Sequence, residues 1–307
     1  MIDISSAKSP LVIYHGSCRD GFAAAWVANR YFSRLCTAVE FLAGYYGVPA
    51  PDVTGRDVFI LDFSYPLATM QKIQDTAKSL VVLDHHATAK DALKELESSD
   101  RSFVCFDMAR SGAGMAWDYF EAITCTGKSR PRSWLINYVE DRDLWRKALP
   151  DSDLINAYIG VLPFDFSVWD EEHRLGFRSE VVDLGRAVSR KISQYIAEVS
   201  KNAIATRFDQ WVVPLVNAPK CDISELLGSL LEVPYQAGTE PPKFVMGWQQ
   251  RHDSRFEYSF RSKGDFDVSA LARRYGGGGH KNAAGFESGR PLHLTGSFEA
   301  PASDWEF

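Results

Sequence analysis

The chain has 307 residues, 45% apolar and 24% charged, which fits one large soluble domain or two ordinary ones with apolar material for two cores. A net charge of −6 argues against a protein that coats long nucleic acid through a basic face, but it is compatible with a short anionic substrate held through bound cations. No apolar run approaches the roughly 18 residues of a transmembrane helix, and the opening MIDISSAKSPLVIYHG lacks the charged and apolar regions of a secretory signal. From the N-terminus to about residue 160, strand-like and helix-like segments alternate. Leu11–Tyr14, Val58–Leu61, Leu80–Leu83 and Phe103–Phe106 are short apolar runs and predict strands. Gly21–Tyr31, Pro66–Lys78, Gly114–Ala122 and Trp134–Val139 predict helices. Continuous apolar strands between helices predict a parallel sheet covered on both faces. A long helix is expected over 179–205, with Val181, Val182, Leu184, Val188, Ile192, Ile196 and Val199 mostly at helical spacing. Beyond it come strand-like 211–216, 242–250 and 256–262, helix-like 223–232, and a Pro/Gly-rich loop at 234–242. The expected architecture is α/β: a catalytic domain over 1–165, a helical linker over 166–205 and a smaller α/β domain over 206–307.

The five cysteines, Cys18, Cys36, Cys105, Cys125 and Cys221, form no CxxC pair. That argues against a disulfide framework or a zinc ribbon and makes the cytoplasm the default compartment.

In a parallel α/β sheet the strand C-termini open on one edge, where ligands bind. His15 and Asp20 follow the first strand, Asp62 the second and Asp84-His85-His86 the third. Glu140, Asp141 and Asp143 follow the apolar INYV. One such Asp is commonly a helix cap; four segments ending this way point to a site. Asp and His without Cys suit a borderline-hard ion such as Mn²⁺. There are donors enough for two ions, and two ions about 3.5–4 Å apart clamp a phosphoryl group and generate hydroxide at neutral pH. The implied chemistry is hydrolysis of a phosphorus–oxygen bond.

HGSCRDG, LDF, LDHH and EDRD together resemble the four metal motifs of the DHH phosphoesterase superfamily, and RYGGGGHKNAAGF resembles the signature of the DHHA1 domain that follows it in many members. The resemblance implies one ion on His15, Asp20 and Asp62, and another on Asp62, His85 and Asp141, with Asp62 as the bridge. It implies catalytic roles for Asp62, His85, His86 and Asp84, with Asp84 orienting an imidazole and His86 facing the scissile phosphate. Asp143 is expected to support a ligand from behind or to pair with a neighbouring Arg, rather than to bind an ion itself. Two departures stand out: His15 is five residues before Asp20, one more than in many members, and Phe22 stands where a second carboxylate would bind the second ion. That ion is left with three assignable protein ligands.

At the far end, Gly276–Gly279 can approach a ligand closely and offer amide donors. Arg261, Gly277, Gly278, Gly279 and His280 are the candidate substrate-binding residues, with Lys281 and Asn282 as further donors. Ser111-Gly112-Ala113 is expected to open a helix as a plain cap, and Lys128, Arg130 and Arg132 to form a solvated basic loop. The expected function is a manganese-dependent phosphodiesterase, with two Mn²⁺ ions expected and Mg²⁺ or Co²⁺ as substitutes. It would hydrolyse short single-stranded oligonucleotides or dinucleotides to mononucleotides. No membrane and no stable duplex partner are expected, and an oligomer is possible. The alternatives are a phosphomonoesterase or phosphoanhydride hydrolase and, favoured by Phe22, a non-catalytic nucleotide-binding module.

Overall fold

A computed structural model describes residues 10–96, 98–122, 131–233 and 240–292. Cys125, Lys128, Arg130 and most of the Pro/Gly-rich loop lie outside the described residues. The chain divides into two compact units, residues 1–189 and 190–307.

The first unit runs β1 (Pro10–His15), α1 (Arg19–Arg34), β2 (Glu40–Gly44), β3 (Asp57–Leu61), α2 (Leu67–Thr76), β4 (Ser79–Asp84), α3 (Ala87–Ala92) and β5 (Ser102–Phe106). It continues through α4 (Gly112–Ala122), α5 (Trp134–Asp143), α6 (Ser152–Val161) and α7 (Phe166–Leu175). All pairings in its five-stranded sheet are parallel, in the order β2-β1-β3-β4-β5. The strands alternate between two cores, because successive side chains leave a strand on opposite faces. Val12, Phe59, Leu61, Val81 and Leu83 pack with α1, α4 and α5. Leu11, Ile13, Val58, Ile60, Leu80 and Val82 pack with Met70 and Ile73 of α2 and with Leu93 and Leu96. Burial on both faces is why these strands read as unbroken apolar runs.

Helix α1 buries Ala23, Ala24, Ala25 and Ala28 together with Phe22, Trp26 and Phe32. Its small residues let α4 pack closely on it, in the same core as Ala113 and Ala116. The starts of α1 and α4 thereby come together beneath the sheet edge, where the donors lie.

Helix α8 (Glu180–Ser200) crosses from one unit to the next in sequence. The second unit contains β6 (Ile204–Phe208), β7 (Trp211–Asn217), α9 (Ile223–Leu231), β8 (Phe244–Gln250), β9 (Phe256–Ser262), α10 (Val268–Arg274), β10 (Gly278–His280) and β11 (Ala283–Ser288). Its six strands form a mixed sheet in the order β10-β11-β9-β8-β7-β6, parallel only between β7 and β8. The long helix ends at Ser200, short of the expected 205, because Ile204 already pairs in β6. Among the described residues no helix is long and apolar enough to cross a membrane.

Candidate metal centre

The sheet order reverses between β1 and β3, and in open α/β sheets ligands bind in the crevice at such a switch point. His15 is the last residue of β1, and Asp62 follows the last residue of β3. Asp62 takes a left-handed backbone conformation, φ 57°, which Asp tolerates better than most residues. Its amide still donates to Leu83 O at 2.8 Å, so the sheet ladder holds the residue in place.

Around Asp62 the donors converge. His15 Nδ1 lies 3.5 Å from Asp62 Oδ2, and His85 Nε2 lies 3.0 Å from Asp62 Oδ1. The same His85 nitrogen is 3.4 Å from Asp143 Oδ2 and 3.6 Å from Asp20 Oδ2. Asp62 is 1% exposed, yet neither of its oxygens accepts an aligned hydrogen bond; His15 Nδ1 and Asp143 Oδ2 are also buried without one. Unpaired buried polar atoms are costly unless something else satisfies them. A divalent cation fits this set: around an octahedral ion with bonds of about 2.1 Å, adjacent donors stand about 3 Å apart.

Asp20 is fixed from α4. Gly112 N donates to its Oδ2 at 2.5 Å and Ala113 N to its Oδ1 at 3.0 Å. The segment Ser111-Gly112-Ala113 does open a helix, and the anion at that helix end is the carboxylate of Asp20. A Cβ on Gly112 would lie 2.4 Å from Asp62 Cβ, so only glycine lets α4 reach this far.

Asp84 is wholly buried and orients His86. Its Oδ1 accepts from the amides of His85 and His86, at 2.7 and 3.1 Å, and pairs with His86 Nδ1 at 2.7 Å. Its Oδ2 accepts from Ser64 Oγ at 2.6 Å. A carboxylate on one imidazole nitrogen fixes the ring and its tautomer.

The expectation for Asp141 needs correcting. Its carboxylate accepts from Ala148 N at 3.0 Å, Leu149 N at 3.4 Å and Ser152 Oγ at 2.5 Å. Those bonds turn it toward the loop between α5 and α6. The residue that α5 brings to His85 is Asp143, for which the sequence predicts a supporting role or an Arg pair. Phe22 also turns away: it stacks on Phe164 and Phe166 at 4.8 and 5.1 Å and meets Trp169 edge-on. Cys18 faces the centre instead. The donor atoms of His15, Cys18 and Asp62 all lie within 4.8 Å of one another.

Glu140 is structural. Arg132 grips it with two bonds of 2.9 and 3.0 Å, Ser111 N donates at 3.1 Å and Arg110 Nε at 3.3 Å. Arg132 is therefore an ion-pair partner of a buried carboxylate rather than part of a solvated loop. Beside the donors stands Tyr46, 53% exposed, its ring edge-on to His15 at 5.5 Å.

The charges are unbalanced without a cation. Burial and the neighbouring Asp62 and Asp143 push the Asp20 carboxyl well above the usual range. Burial also raises Asp143; His85 offsets this in part, and Asp62 adds to it. For Asp62, burial works in the same direction, but the imidazoles of His15, His85 and His86 outweigh it and hold it well below. Burial disfavours a charged His85, yet Asp62, Asp143 and Asp20 prevail and raise it to about 10. A divalent cation bound here would favour the charged carboxylates and the neutral imidazoles, since metal binding releases protons from its ligands.

In the second unit the glycine-rich segment forms a tight hairpin edge. Gly276 has φ 78° and Gly279 φ 134°, and a Cβ on Gly277 would lie 2.1 Å from Gly285 O. The close approach that glycine permits here is made to β11, with His280 opposite Ala283. Arg261 donates to Ser224 Oγ at 2.6 Å and to Phe260 O at 2.7 Å.

No protein-family model matches the chain. An uncharacterised protein of Acanthamoeba polyphaga mimivirus is 26% identical over 300 residues, covering 90% of this chain and 66% of the relative, so the chain spans just under two thirds of that protein. Among solved structures, the chain is similar to an exopolyphosphatase-related protein from Bacteroides fragilis, with a TM-score of 0.52 and 15% identity over 93% of this chain and 88% of that one. It is also similar to RecJ from Thermus thermophilus in complex with Mn²⁺, with a TM-score of 0.50 and 16% identity over 91% of this chain and 49% of that one. Taken with the parallel first sheet and the mixed second sheet, these likenesses give the chain the fold of the DHH phosphoesterases with a DHHA1-like second domain.

Proposed function

We propose that the chain is a divalent-metal-dependent phosphodiesterase that hydrolyses short single-stranded oligonucleotides or dinucleotides to mononucleotides. The observation that carries this reading is Asp62: a carboxylate buried at the switch point, both oxygens without aligned hydrogen bonds, facing His15 and His85. His15, Asp20, Asp62, His85 and Asp143 would hold the ions, with Asp62 between them. Bound divalent ions, Mn²⁺ by the chemistry of the donor set, supply Lewis-acid stabilisation of the phosphoryl charge and a nucleophile at neutral pH. The Mn²⁺ bound to RecJ supports that choice of ion.

The protein's own residues do the rest. Asp84 fixes the His86 imidazole through Nδ1, and the ring held in this way is proposed to face the scissile phosphate. Burial opposes charge on His86, but Asp84 and Asp62 overcome it and raise its pKa, which favours the donor form. The α4 N-terminus holds Asp20 in place without occupying all its lone pairs. Tyr46 offers an exposed ring beside His15 on which a nucleobase can stack. Arg261, Gly277, Gly278, Gly279 and His280 of the second unit are proposed to grip the non-scissile end of the substrate, where a guanidinium suits a phosphate.

The likeness to an exopolyphosphatase-related protein favours a second reading, hydrolysis of a phosphoanhydride or phosphomonoester by the same donors. A mass-resolved product assay with Mn²⁺ separates the two. Di- to pentanucleotides, nucleoside bisphosphates, cyclic dinucleotides and polyphosphate are each incubated with the protein. Mononucleotides released from linear oligonucleotides support the first reading. Turnover of polyphosphate or bisphosphates alone would replace it with the second.

A further inference from the structure

Cys18 stands in the loop between β1 and α1, half-buried, two residues before Asp20. It occupies the N-cap position of α1 with φ −121° and ψ 134°, yet its side chain makes no capping bond. Ser, Thr, Asp or Asn would be usual there, because their oxygens accept from the helix amides. The sulfur faces the centre instead: its Sγ, a His15 ring nitrogen and an Asp62 carboxylate oxygen lie within 4.8 Å of one another. The other two members of this trio are unsatisfied. Asp62, 1% exposed, has no aligned hydrogen bond on either oxygen, and neither has His15 Nδ1. The position expected to carry a further donor, Phe22, is committed to the aromatic stack with Phe164 and Phe166.

We propose that Cys18 Sγ is a ligand of the divalent ion held by His15 and Asp62, which makes that half of the centre a mixed sulfur, nitrogen and oxygen site. The proposal rests on the metal-centre reading above and goes further in naming a thiolate donor and its consequence. Thiolate is a soft ligand that favours Zn²⁺, Cd²⁺ and Co²⁺, whereas carboxylate and water suit Mn²⁺ and Mg²⁺. On binding, the thiol proton is released and the sulfur lone pair is donated to the ion; no electron is transferred and no other bond breaks. The two halves of the centre therefore differ in metal preference: the one built on His85, Asp20 and Asp143 is all nitrogen and oxygen, the one containing Cys18 is softer.

The test is Co²⁺ loading of the full-length protein, read by absorption spectroscopy and metal content, with Cys18→Ser and Cys18→Asp in parallel. Circular dichroism checks each fold. The wild type should show a sulfur-to-cobalt charge-transfer band in the near ultraviolet, and both variants should lack it. Cys18→Asp should also shift the Cd²⁺-to-Mn²⁺ affinity ratio toward Mn²⁺ by about tenfold or more, the scale by which even residues behind the ligands alter metal affinity. Cobalt bound without the sulfur band, or a band that persists in Cys18→Ser, would overturn the assignment of Cys18 and leave the metal centre standing. No binding of cobalt, manganese or cadmium at all would overturn both. If Cys18→Ser does not fold, the wild-type spectrum and the Cys18→Asp affinity ratio still decide.

Discussion

Asp62 Oδ1 and His85 Nε2 lie 3.0 Å apart just beyond the ends of two neighbouring strands, with no aligned hydrogen bond accepted by the carboxylate. One loop enters from β3 and the other from β4, so the parallel ladder sets their separation. A pair held this way is preorganised for a shared ion. Replacing Asp62 by Asn keeps shape and tolerates φ 57° but removes the charge proposed to bridge the ions. Asp62→Asn should keep the far-ultraviolet circular dichroism of the parent and lose more than tenfold in kcat, about 1.4 kcal/mol of barrier. A variant retaining over a tenth of the parental rate would remove Asp62 from the bridging role.

Asp141 and the proposed ligand Asp143 lie two residues apart at the end of α5. Asp141 is 4% exposed and accepts three hydrogen bonds, so Asp141→Ala should cost on the order of 1–3 kcal/mol, read as a lower midpoint in denaturant. Asp143→Asn relieves repulsion with Asp62 and should leave the midpoint unchanged or higher while weakening Mn²⁺ binding. The reverse pattern would restore Asp141 to the ligand set.

Gly112 touches no metal donor through a side chain, because it has none. Adding a methyl group places a carbon 2.4 Å from Asp62 Cβ and 2.9 Å from its Cα. Gly112→Ala should therefore displace Asp62 and reduce Mn²⁺ affinity by about tenfold or more, the scale seen when the supports of ligands are altered. Calorimetric titration of the folded variant gives the answer, and parental affinity would show that α4 does not set the position of Asp62.

Glu140 supplies a pH signature of stability. Burial raises its pKa, but Arg132, the Ser111 amide and Arg110 outweigh that and lower it from 4.5 to about 2. A carboxyl depressed in the folded state stabilises fully above its unfolded value and loses that contribution as pH falls through the folded value. The stability gap between wild type and Glu140→Gln should thus be constant above pH 4.5 and close between there and about 2. Chemical denaturation of both proteins across that window is the measurement. A gap that does not change would mean Glu140 is not held charged.

Much of the first unit was legible because burial on both faces makes strands β1, β3 and β4 continuous apolar runs, and the partly buried β5 carries one as well. The edge strand β2, Glu40–Gly44, offers only the short run Phe41-Leu42-Ala43, part-exposed and opened by a charged Glu40. Helices α6 and α7 went unread: their sequences, SDLINAYIGV and FSVWDEEHRL, are short and mix charges with aromatics. The confusion between Asp141 and Asp143 has a geometric cause. The helix that carries INYV runs on through Asp143, and residues two apart on a helix point about 200° apart. Only the bonds of Asp141 to Ala148 and Ser152 reveal which one turns inward. Cys18 was hidden because a single cysteine without a CxxC partner carries no metal signal in sequence; its neighbours in space come from β1 and β3.

The central claim, that this cluster holds divalent ions on which hydrolysis of a phosphate ester depends, is tested most directly by stripping and restoring the metal. The full-length protein is treated with a chelator, its residual metal is measured by mass spectrometry, and hydrolysis of a dinucleotide is followed before and after graded addition of Mn²⁺. The account predicts loss of turnover with the metal and recovery in proportion to the ions rebound. Full hydrolysis by protein verified to be free of metal would contradict it.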